Sequence, residues 1–271
     1  MWHYWWLIPL GFVVAAYGTL IGAGGGFVLV PALLLLYPNE KPEVVTSISL
    51  AVVFFNALSG SVAYGRMRRV HYRSGLLFSA ATVPGAILGA LTTSFIPRQE
   101  FNLIFAVVLI LGSVFLLLRP NAEQEAAGPL PRRHLACHLV EADGTSHAFG
   151  YDPVVGVMLS MVVGYVSSLL GIGGGIIHVP ALVYLLHFPT HIACATSHFI
   201  LAMTALAGTA THIATGAFSV GIRRTILLAA GALVGAQVGA ALSRRVHGTW
   251  IMRGLAIALL LVGVRILILA G

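Results

Sequence analysis

Charged side chains are scarce in this chain of 271 residues: they make up 8% of the sequence, whereas hydrophobic residues make up 58%. A soluble domain usually has about 25% charged residues, which cover its surface. The composition excludes a soluble globule of this size, because most of its surface would be apolar. It therefore predicts an integral membrane protein that has the lipid bilayer as its solvent.

Acidic side chains are absent from the interiors of the long apolar runs. A cation site or a carboxylate proton relay inside a membrane usually needs such acids, so both are disfavoured. The net charge of +7 comes from basic residues in short loops. Because this pattern is the one that orients membrane helices, we expect no nucleic-acid partner. The acidic residues are Glu40, Glu43, Glu100, Glu123, Glu125, Glu141, Asp143 and Asp152.

Cysteine is also rare, with Cys137 in a polar connector and Cys194 in an apolar run. These different settings argue against a disulfide, and two cysteines do not make a metal site. We expect no metal, no cofactor and no catalytic residue. The first residues lack a basic region before the apolar run, which favours an interfacial anchor over a cleaved signal peptide. Its aromatic residues are Trp2, Tyr4, Trp5 and Trp6.

Several apolar runs are long enough to cross a bilayer as a helix, which takes roughly 20 residues. Two further runs, 7–37 and 154–186, are longer, and each has a glycine cluster in its middle. The predicted fold class is an all-α polytopic membrane protein with about eight membrane segments, the first of each half broken at the glycine cluster. The uninterrupted runs are 44–64, 74–95, 101–118, 193–215, 225–242 and 249–270.

The two halves of the chain are copies of each other. Residues 20–33, LIGAGGGFVLVPAL, return at 169–182 as LLGIGGGIIHVPAL. Further matches pair Thr46-Ser47 with Thr196-Ser197, and the glycines 85 and 89 with the glycines 235 and 239. The last two pairs have the small-xxx-small spacing that is typical of close helix packing.

This repetition predicts three regions: a first membrane repeat at 1–118, a polar connector at 119–152 and a second membrane repeat at 153–271. Within the connector, Asp143-Gly144 separates two short strand-like runs, 134–140 and 145–151. An Asp-Gly pair in that setting predicts a β-hairpin. A surface ribbon or ordered linker is preferred here to a regulatory module.

Two membrane topologies fit the halves. With four crossings in each half the repeats are parallel, and nine Lys and Arg residues lie inside and five outside, leaving out Arg265. If each glycine-broken run is a hairpin of two short helices, the halves are inverted. Arg244, Arg245 and Arg253 then move inside while Arg223 and Arg224 move outside, which gives ten against four. The inverted arrangement is favoured, because broken helices near a two-fold axis are common in carriers.

Each glycine cluster has the features of a broken membrane helix. Glycine costs a helix roughly 1 kcal/mol relative to alanine, and Pro31 and Pro180, five residues after the clusters, each remove a backbone donor. Freed backbone groups persist in a membrane only inside protein or beside a wet cavity. One cluster alone could equally mark a close helix crossing, but two at matching positions favour a transporter's central site. A helix that begins there directs N–H groups and partial positive charge toward an anion.

The predicted substrate-binding residues are the cluster glycines together with neutral polar residues of the following spans. Hydroxyl and amide groups can donate hydrogen bonds to the oxygens of an anion. Three histidines of the second half are candidates for a proton-linked role, although each could also be a packing residue. The binding candidates are Gly24, Gly25, Gly26, Thr46, Ser47, Asn56, Gly173, Gly174, Gly175, Thr196 and Ser197, and the histidines are His178, His198 and His212.

Together these motifs resemble the TauE/SafE family, also called sulfite exporters, which belong with the toluene-sulfonate uptake permeases. The resemblance covers essentially the whole chain and implies a multi-pass permease of a bacterial or archaeal inner membrane. Its expected substrate is sulfite, a sulfonate or a related sulfur oxyanion. In the second half, Val234 replaces a proline, and Leu206 or a neighbour replaces Asn56. The motifs are GxGGG…VPAL, Thr-Ser near the start of the next span, Asn56 with Ser59-Gly60, the loop RMRRV at 66–70, and VPGA at 83–86.

The predicted function is a secondary transporter for a small sulfur-containing anion, expected to act as an exporter. An anion channel and an intramembrane hydrolase are the alternatives. The hydrolase needs a serine activated by a histidine, and the neighbours Ser197 and His198 face different directions on one helix. A saturable flux that depends on a gradient distinguishes a carrier from a channel. The expected partners are the anion and the bilayer, and the sequence makes no prediction of oligomeric state.

Overall fold

The computed structural model describes residues 4–118 and 135–270, and the chain is mostly helical, as its sequence predicts. Six of the described helices are long and apolar enough to cross a membrane: α3, α4, α5, α6, α8 and α9. The helices are α1 Leu7–Leu20, α2 Gly26–Leu36, α3 Pro42–Arg66, α4 Tyr72–Thr93, α5 Arg98–Leu118, α6 Pro153–Leu170, α7 Gly175–Tyr184, α8 Thr190–Ala214, α9 Ile222–Leu242 and α10 Gly248–Ala270. The strands are β1 Leu135–Val140 and β2 Ser146–Tyr151, and a 3-10 turn covers Ala217–Val220.

Glycines in the left-handed conformation connect α1 to α2 and α6 to α7. In the first connection Gly22, Gly24 and Gly25 have φ angles of 77°, 75° and 79°. The corresponding residues of the second connection, at 171, 173 and 174, have φ angles of 71°, 79° and 106°. Residues with a side chain rarely adopt this conformation, so glycine is needed at these positions. We call residues 21–25 the first glycine turn and residues 170–174 the second.

The chain reverses direction at each glycine turn. Gly156, near the start of α6, faces Leu186, just beyond the end of α7. Both ends of the α6–α7 pair are therefore at the same end of the helix bundle. In the first half, α1 begins beside the early part of α9, where Gly231 contacts the backbone of Ile8, and α2 ends at Tyr37, whose ring lies 3.9 Å from the Arg224 guanidinium carbon at the start of α9.

Helices at the same place in the two halves pack antiparallel. Along α3 and α8, Thr46 lies beside His212 and Gly60 lies beside His198, so the residue numbers run in opposite directions. The helices α5 and α10 are also antiparallel: Ser113 Oγ donates to the Ala256 carbonyl at 2.8 Å, and Gly263 contacts Leu109. In each of these two pairs, the helix of the first half of the chain therefore runs opposite to the helix of the second half.

Helices of different halves also pack parallel, and here glycine allows close approach. Gly85 and Gly89 of α4 contact the backbone of α6, and Gly235 and Gly239 of α9 contact the backbone of α1. A Cβ at any of these positions would collide with a carbonyl oxygen of the neighbouring helix. The prediction that these spaced glycines serve helix packing is confirmed.

The bundle has two polar ends, which we name after a glutamate at each. At the Glu40 end, Arg224 Nη2 lies 2.9 Å from Glu40 Oε1. Arg98 donates to the Leu34 carbonyl near the end of α2 and to the Glu40 carbonyl in the following loop. This end holds the starts of α3, α5 and α9. The Glu141 end holds the α3–α4 loop, the start of α8 and the β-hairpin.

In the hairpin, β1 pairs antiparallel with β2, from Leu135 opposite Tyr151 to Val140 opposite Ser146. Arg69 Nε donates to Glu141 Oε2 at 2.6 Å, and the Ala142 N–H donates to the Met67 carbonyl. These contacts tie the predicted hairpin to the α3–α4 loop. The earlier part of the predicted connector, 119–134, lies outside the described residues, as does Trp2 of the predicted aromatic anchor.

Candidate functional site

The two glycine turns touch each other at the centre of the bundle. A Cβ on Gly26 would lie 2.8 Å from the Cα of Ile172, and one on Gly175 would lie 2.6 Å from the Cα of Ala23. Side-chain carbons essentially never approach so closely. Gly26 and Gly175, which directly follow the two turns, are therefore required by the backbone of the opposite turn, whereas the glycines within each turn are required by their own φ angles.

Both turns lie beside the middle of the two longest helices, α3 and α8. The side chains of Val53 and Leu201 contact Gly24 and Gly173 together, one chain segment from each half. Val53 and Leu201 are each only 1% exposed. These two residues cover the turns, so the structure is closed at its centre.

A serine of each half holds a carbonyl of the opposite half's turn. Ser49 Oγ donates to the Gly171 carbonyl at 2.6 Å, and Ser197 Oγ donates to the Gly22 carbonyl at 3.4 Å. This pairing gives Ser49, rather than Ser47, as the counterpart of Ser197. The sequence match of Thr46-Ser47 with Thr196-Ser197 is therefore wrong by two residues, because Ser47 Oγ donates within its own helix to the Val44 carbonyl.

The helices α2 and α7 begin at the turns and direct their first N–H groups toward them. Gly25 and Gly174 are the N-cap residues, and neither has a side chain that could cap the helix. Within the part of the chain that the structure describes, the N–H groups of Gly26, Phe27, Gly175 and Ile176 have no hydrogen-bond acceptor. Unpaired N–H groups and the helix dipole together favour an anion at such a position.

The predicted threonines do not point into the turns. Thr46 Oγ1 donates to the Glu43 carbonyl at 3.1 Å and lies 3.4 Å from His212 Nε2, although the backbone of Thr46 touches Gly171. Thr196 Oγ1 accepts from the His71 N–H at 3.1 Å, at the Glu141 end. Of the four residues in the two Thr-Ser pairs, only Ser197 makes a side-chain hydrogen bond to a glycine turn, whereas Thr46 packs the carbon atoms of its side chain against Gly171.

Asn56 holds the first turn in a chain of hydrogen bonds. Its Nδ2 donates to the Gly24 carbonyl at 2.7 Å, and its Oδ1 accepts from Thr19 Oγ1 at 2.7 Å. The Thr19 carbonyl in turn accepts from the Tyr64 hydroxyl, and His198 Nε2 lies 3.2 Å from Thr19 Oγ1. All four side chains are buried. Asn56 therefore supports the turn and is already satisfied by protein groups.

The three candidate histidines lie in three separate places. His198 belongs to the Asn56 chain, His212 lies beside Thr46, and His178 Nε2 lies 3.2 Å from Ser160 Oγ. Each shares its hydrogen bond with a hydroxyl group. No group of three or more His, Cys, Asp or Glu residues among those described is arranged to hold a metal ion.

Sequence reasoning missed four residues of this centre: Thr19, Tyr64, Ser49 and Ser167. Ser167 is fully buried, its Oγ would lie 2.9 Å from a Cβ on Gly174, and this hydroxyl has no hydrogen-bond partner among the described residues. Two of them could have been identified from their position in the sequence, because Thr19 and Ser167 lie within four residues before a glycine cluster. A hydroxyl at the end of a helix that leads into a break is well placed to contact that break.

Comparisons with known proteins identify the family of this chain. The family model described as Sulfite exporter TauE/SafE matches residues 7–266. The chain is 33% identical to the probable membrane transporter protein YunE of Bacillus subtilis over 96% of both chains. It is 26% identical to the probable membrane transporter protein YdhB of the same organism, over 86% of this chain and 88% of that one.

A more distant relative is a probable membrane transporter protein of Methanocaldococcus jannaschii, 22% identical over 76% of this chain and 71% of its own length. No solved structure matches the chain. The matched span takes in both glycine turns and every helix that packs against them. This multi-pass membrane protein belongs to the sulfite exporter TauE/SafE family of membrane transporters.

Proposed function

We propose that this protein is a secondary transporter that carries a small sulfur-containing anion, sulfite or an organosulfonate, out of the cell. The observation that carries the proposal is the contact between the two glycine turns at the centre of α3 and α8. Transporter sites lie where discontinuous helices of two repeats meet. The proposed binding groups are the turn backbones, at 24–26 and 173–175, with Ser197 and its counterpart Ser49.

The chemistry of this centre favours an anion. Among the described acidic residues, Glu43 and Glu100 lie in the first turn of a helix, and the others lie outside the helices. The unpaired N–H groups of α2 and α7 are hydrogen-bond donors, which the oxygens of sulfite or a sulfonate would accept. No carboxylate of the described part of the chain lies beside the turns to bind a cation.

The proposed arrangement has eight membrane segments in two inverted halves, 1–118 and 153–271, joined by the connector 119–152. In this proposal the pairs α1–α2 and α6–α7 each enter and return at one end of the bundle, leaving three full crossings per half. Of the described Lys and Arg residues outside the interior of α10, seven lie at the Glu141 end and four at the Glu40 end, so the Glu141 end is proposed to face the cytoplasm of an inner membrane. The seven are Arg66, Arg68, Arg69, Arg73, Arg244, Arg245 and Arg253, and the four are Lys41, Arg98, Arg223 and Arg224.

Transport is favoured over hydrolysis by the surroundings of the serines. Ser197 and His198 bond to different residues, Gly22 and Thr19. Ser160 and His178 do lie within hydrogen-bond distance, but no described helix carries a carboxylate at that depth to orient the imidazole. A nucleophile in a triad needs such an orienting group.

The test is flux into proteoliposomes that contain the purified protein. We expect uptake of radiolabelled sulfite that saturates with concentration and is accelerated by unlabelled sulfite on the other side. Uptake that rises linearly without saturation would favour the channel. Uptake equal to that of protein-free liposomes, for both sulfite and isethionate, would overturn the proposed substrate class.

A proton-linked cycle through His178, His198 or His212 remains part of the proposal. Sulfite changes its own charge near neutral pH, whereas isethionate stays ionised, so isethionate is the substrate to use. Flux between pH 5 and pH 8 should show a titration in the histidine range. Replacement of the responsible histidine by glutamine should remove the pH dependence of flux. Identical pH profiles in the wild type and all three variants would refute the proton-linked cycle.

A further inference from the structure

The second glycine turn carries polar groups that have no counterpart at the first. Ser167 is 0% exposed and its Oγ has no hydrogen-bond partner among the described residues. It would lie 2.9 Å from a Cβ on Gly174, the N-cap residue of α7. The hydroxyl therefore points at the start of α7.

An unpartnered buried hydroxyl is unusual in a folded protein. Most buried polar groups are hydrogen-bonded, and an exception calls for an explanation such as a ligand or an ion. A serine on a helix can usually donate to a carbonyl of the preceding turn, as Ser47 does with Val44. Ser167 does not, so its hydroxyl is available to a group that binds at the turn.

Two further groups converge on the same point. The N–H groups of Gly175 and Ile176 at the start of α7 have no acceptor in the described part of the chain, and the dipole of α7 is directed there. His178 Nδ1 would lie 3.5 Å from a Cβ on Gly174. When Ser160 Oγ donates to His178 Nε2, the proton of the neutral ring is on Nδ1, which can then donate toward the turn.

The first turn presents the opposite chemistry. Gly25 corresponds to Gly174, and a Cβ there would lie 2.7 Å from the Val14 carbonyl oxygen, which repels an anion. In the sequence match of the halves, Ser167 corresponds to Gly18 and His178 to Leu29. The first turn therefore has neither a hydroxyl nor an imidazole at these two positions, and the Thr19 hydroxyl nearby already donates to Asn56.

We infer that the transported anion binds asymmetrically, at the second glycine turn, where one of its oxygens accepts hydrogen bonds from the Ser167 hydroxyl and the first N–H groups of α7. This inference rests on the proposed function and deepens it, since it assigns the substrate to one turn. The first turn, held by Asn56, is the packing partner of the binding turn. The ligand class is a small oxyanion with several acceptor oxygens, as in sulfite and sulfonates.

The test compares Ser167→Ala with Ser168→Ala. Ser168 is a matched control, because it is also fully buried and its Oγ also lacks a partner, but it faces Gly208 of α8 instead of Gly174. The dissociation constants of sulfite and isethionate are measured on purified protein in detergent, from the rise in melting temperature with ligand concentration. We expect Ser167→Ala to weaken binding by about tenfold or more, as for one lost hydrogen bond to a charged ligand, and Ser168→Ala to bind as the wild type does.

The melting temperature without ligand separates a binding role from a structural one. Because the Ser167 hydroxyl bonds to nothing in the described structure, alanine should leave that temperature unchanged or raise it. Equal dissociation constants in Ser167→Ala and wild type would overturn the inference and leave the proposed function standing. A wild-type protein that binds neither anion would overturn the proposed function, and this inference with it.

Discussion

At the residue scale, two serines that donate hydrogen bonds to the opposite half of the chain show which positions of the two halves correspond. Ser49 and Ser197 each hold a carbonyl of the opposite glycine turn. The sequence could not reveal this, because Thr46-Ser47 and Thr196-Ser197 have the same residue types, whereas the structure pairs Ser197 with Ser49, two residues after Ser47. Only the hydrogen-bond partner distinguishes Ser49 from Ser47. The glycine clusters themselves, by contrast, could be aligned directly from the sequence.

Ser49→Ala should destabilise the protein more than Ser47→Ala. The first change leaves the buried Gly171 carbonyl without its donor, which costs about 1–3 kcal/mol. The second removes only a bond to Val44 within the same helix, whose carbonyl can keep its backbone partner. Thermal unfolding in detergent measures both, and equal losses in the two variants would show that the Ser49 bond contributes nothing specific.

At the element scale, the β-hairpin joins loops of both halves at the Glu141 end. Phe149 and Tyr151 pack on Phe188, which follows α7, with ring centroids 4.6 and 5.3 Å apart, while Arg69 of the α3–α4 loop pairs with Glu141. The Asp-Gly turn made the hairpin predictable from the sequence. Its docking was not predictable, because a buried Arg-Glu pair between distant segments leaves no local pattern.

Glu141→Gln should release the hairpin from the α3–α4 loop. The Arg69 and Glu141 side chains are 10% and 5% exposed, and His147 Nε2 lies 3.0 Å from the other carboxylate oxygen. Removing one partner of a buried pair typically costs 3–5 kcal/mol, about the scale expected here. Hydrogen exchange of residues 135–151 should therefore accelerate.

Asp143→Asn is the control for that measurement. Asp143 is exposed at the tip of the same hairpin, where the Thr145 N–H holds its carboxylate and lowers its pKa. Asparagine keeps an acceptor oxygen for that N–H, so exchange should stay at the wild-type rate. Exchange that is the same in Glu141→Gln as in Asp143→Asn would mean that the buried pair does not hold the hairpin.

At the scale of the whole molecule, the reversal of the chain at both glycine turns is the observation that supports the proposed topology. From sequence alone the runs 7–37 and 154–186 fit either one tilted crossing or a hairpin, because hydropathy gives length and not direction. The contacts of Gly156 with Leu186, and of Arg224 with Tyr37, supply the direction. These long-range contacts support the proposed inverted arrangement.

Single cysteines should report this topology in intact cells. In a background with Cys137→Ser and Cys194→Ala, an impermeant maleimide should label Lys41→Cys from outside. It should label Arg68→Cys and Arg245→Cys only after the membrane is permeabilised. Labelling of Arg245→Cys from outside, with Arg68→Cys still protected, would instead indicate parallel repeats.

The central claim is that transport depends on the contact between the two glycine turns, and Gly175→Ala tests it most directly. One added methyl group would lie 2.6 Å from the Cα of Ala23 and force the turns apart, at a cost of about 1–3 kcal/mol. Gly254→Ala in α10 is the matched control, since a Cβ there would have the Tyr17 hydroxyl at 3.7 Å as its contact. The measurement is exchange of radiolabelled sulfite across proteoliposomes, on variants that elute as the wild type does. We predict no exchange above protein-free liposomes for Gly175→Ala and full exchange for Gly254→Ala, whereas wild-type exchange by Gly175→Ala would contradict the account.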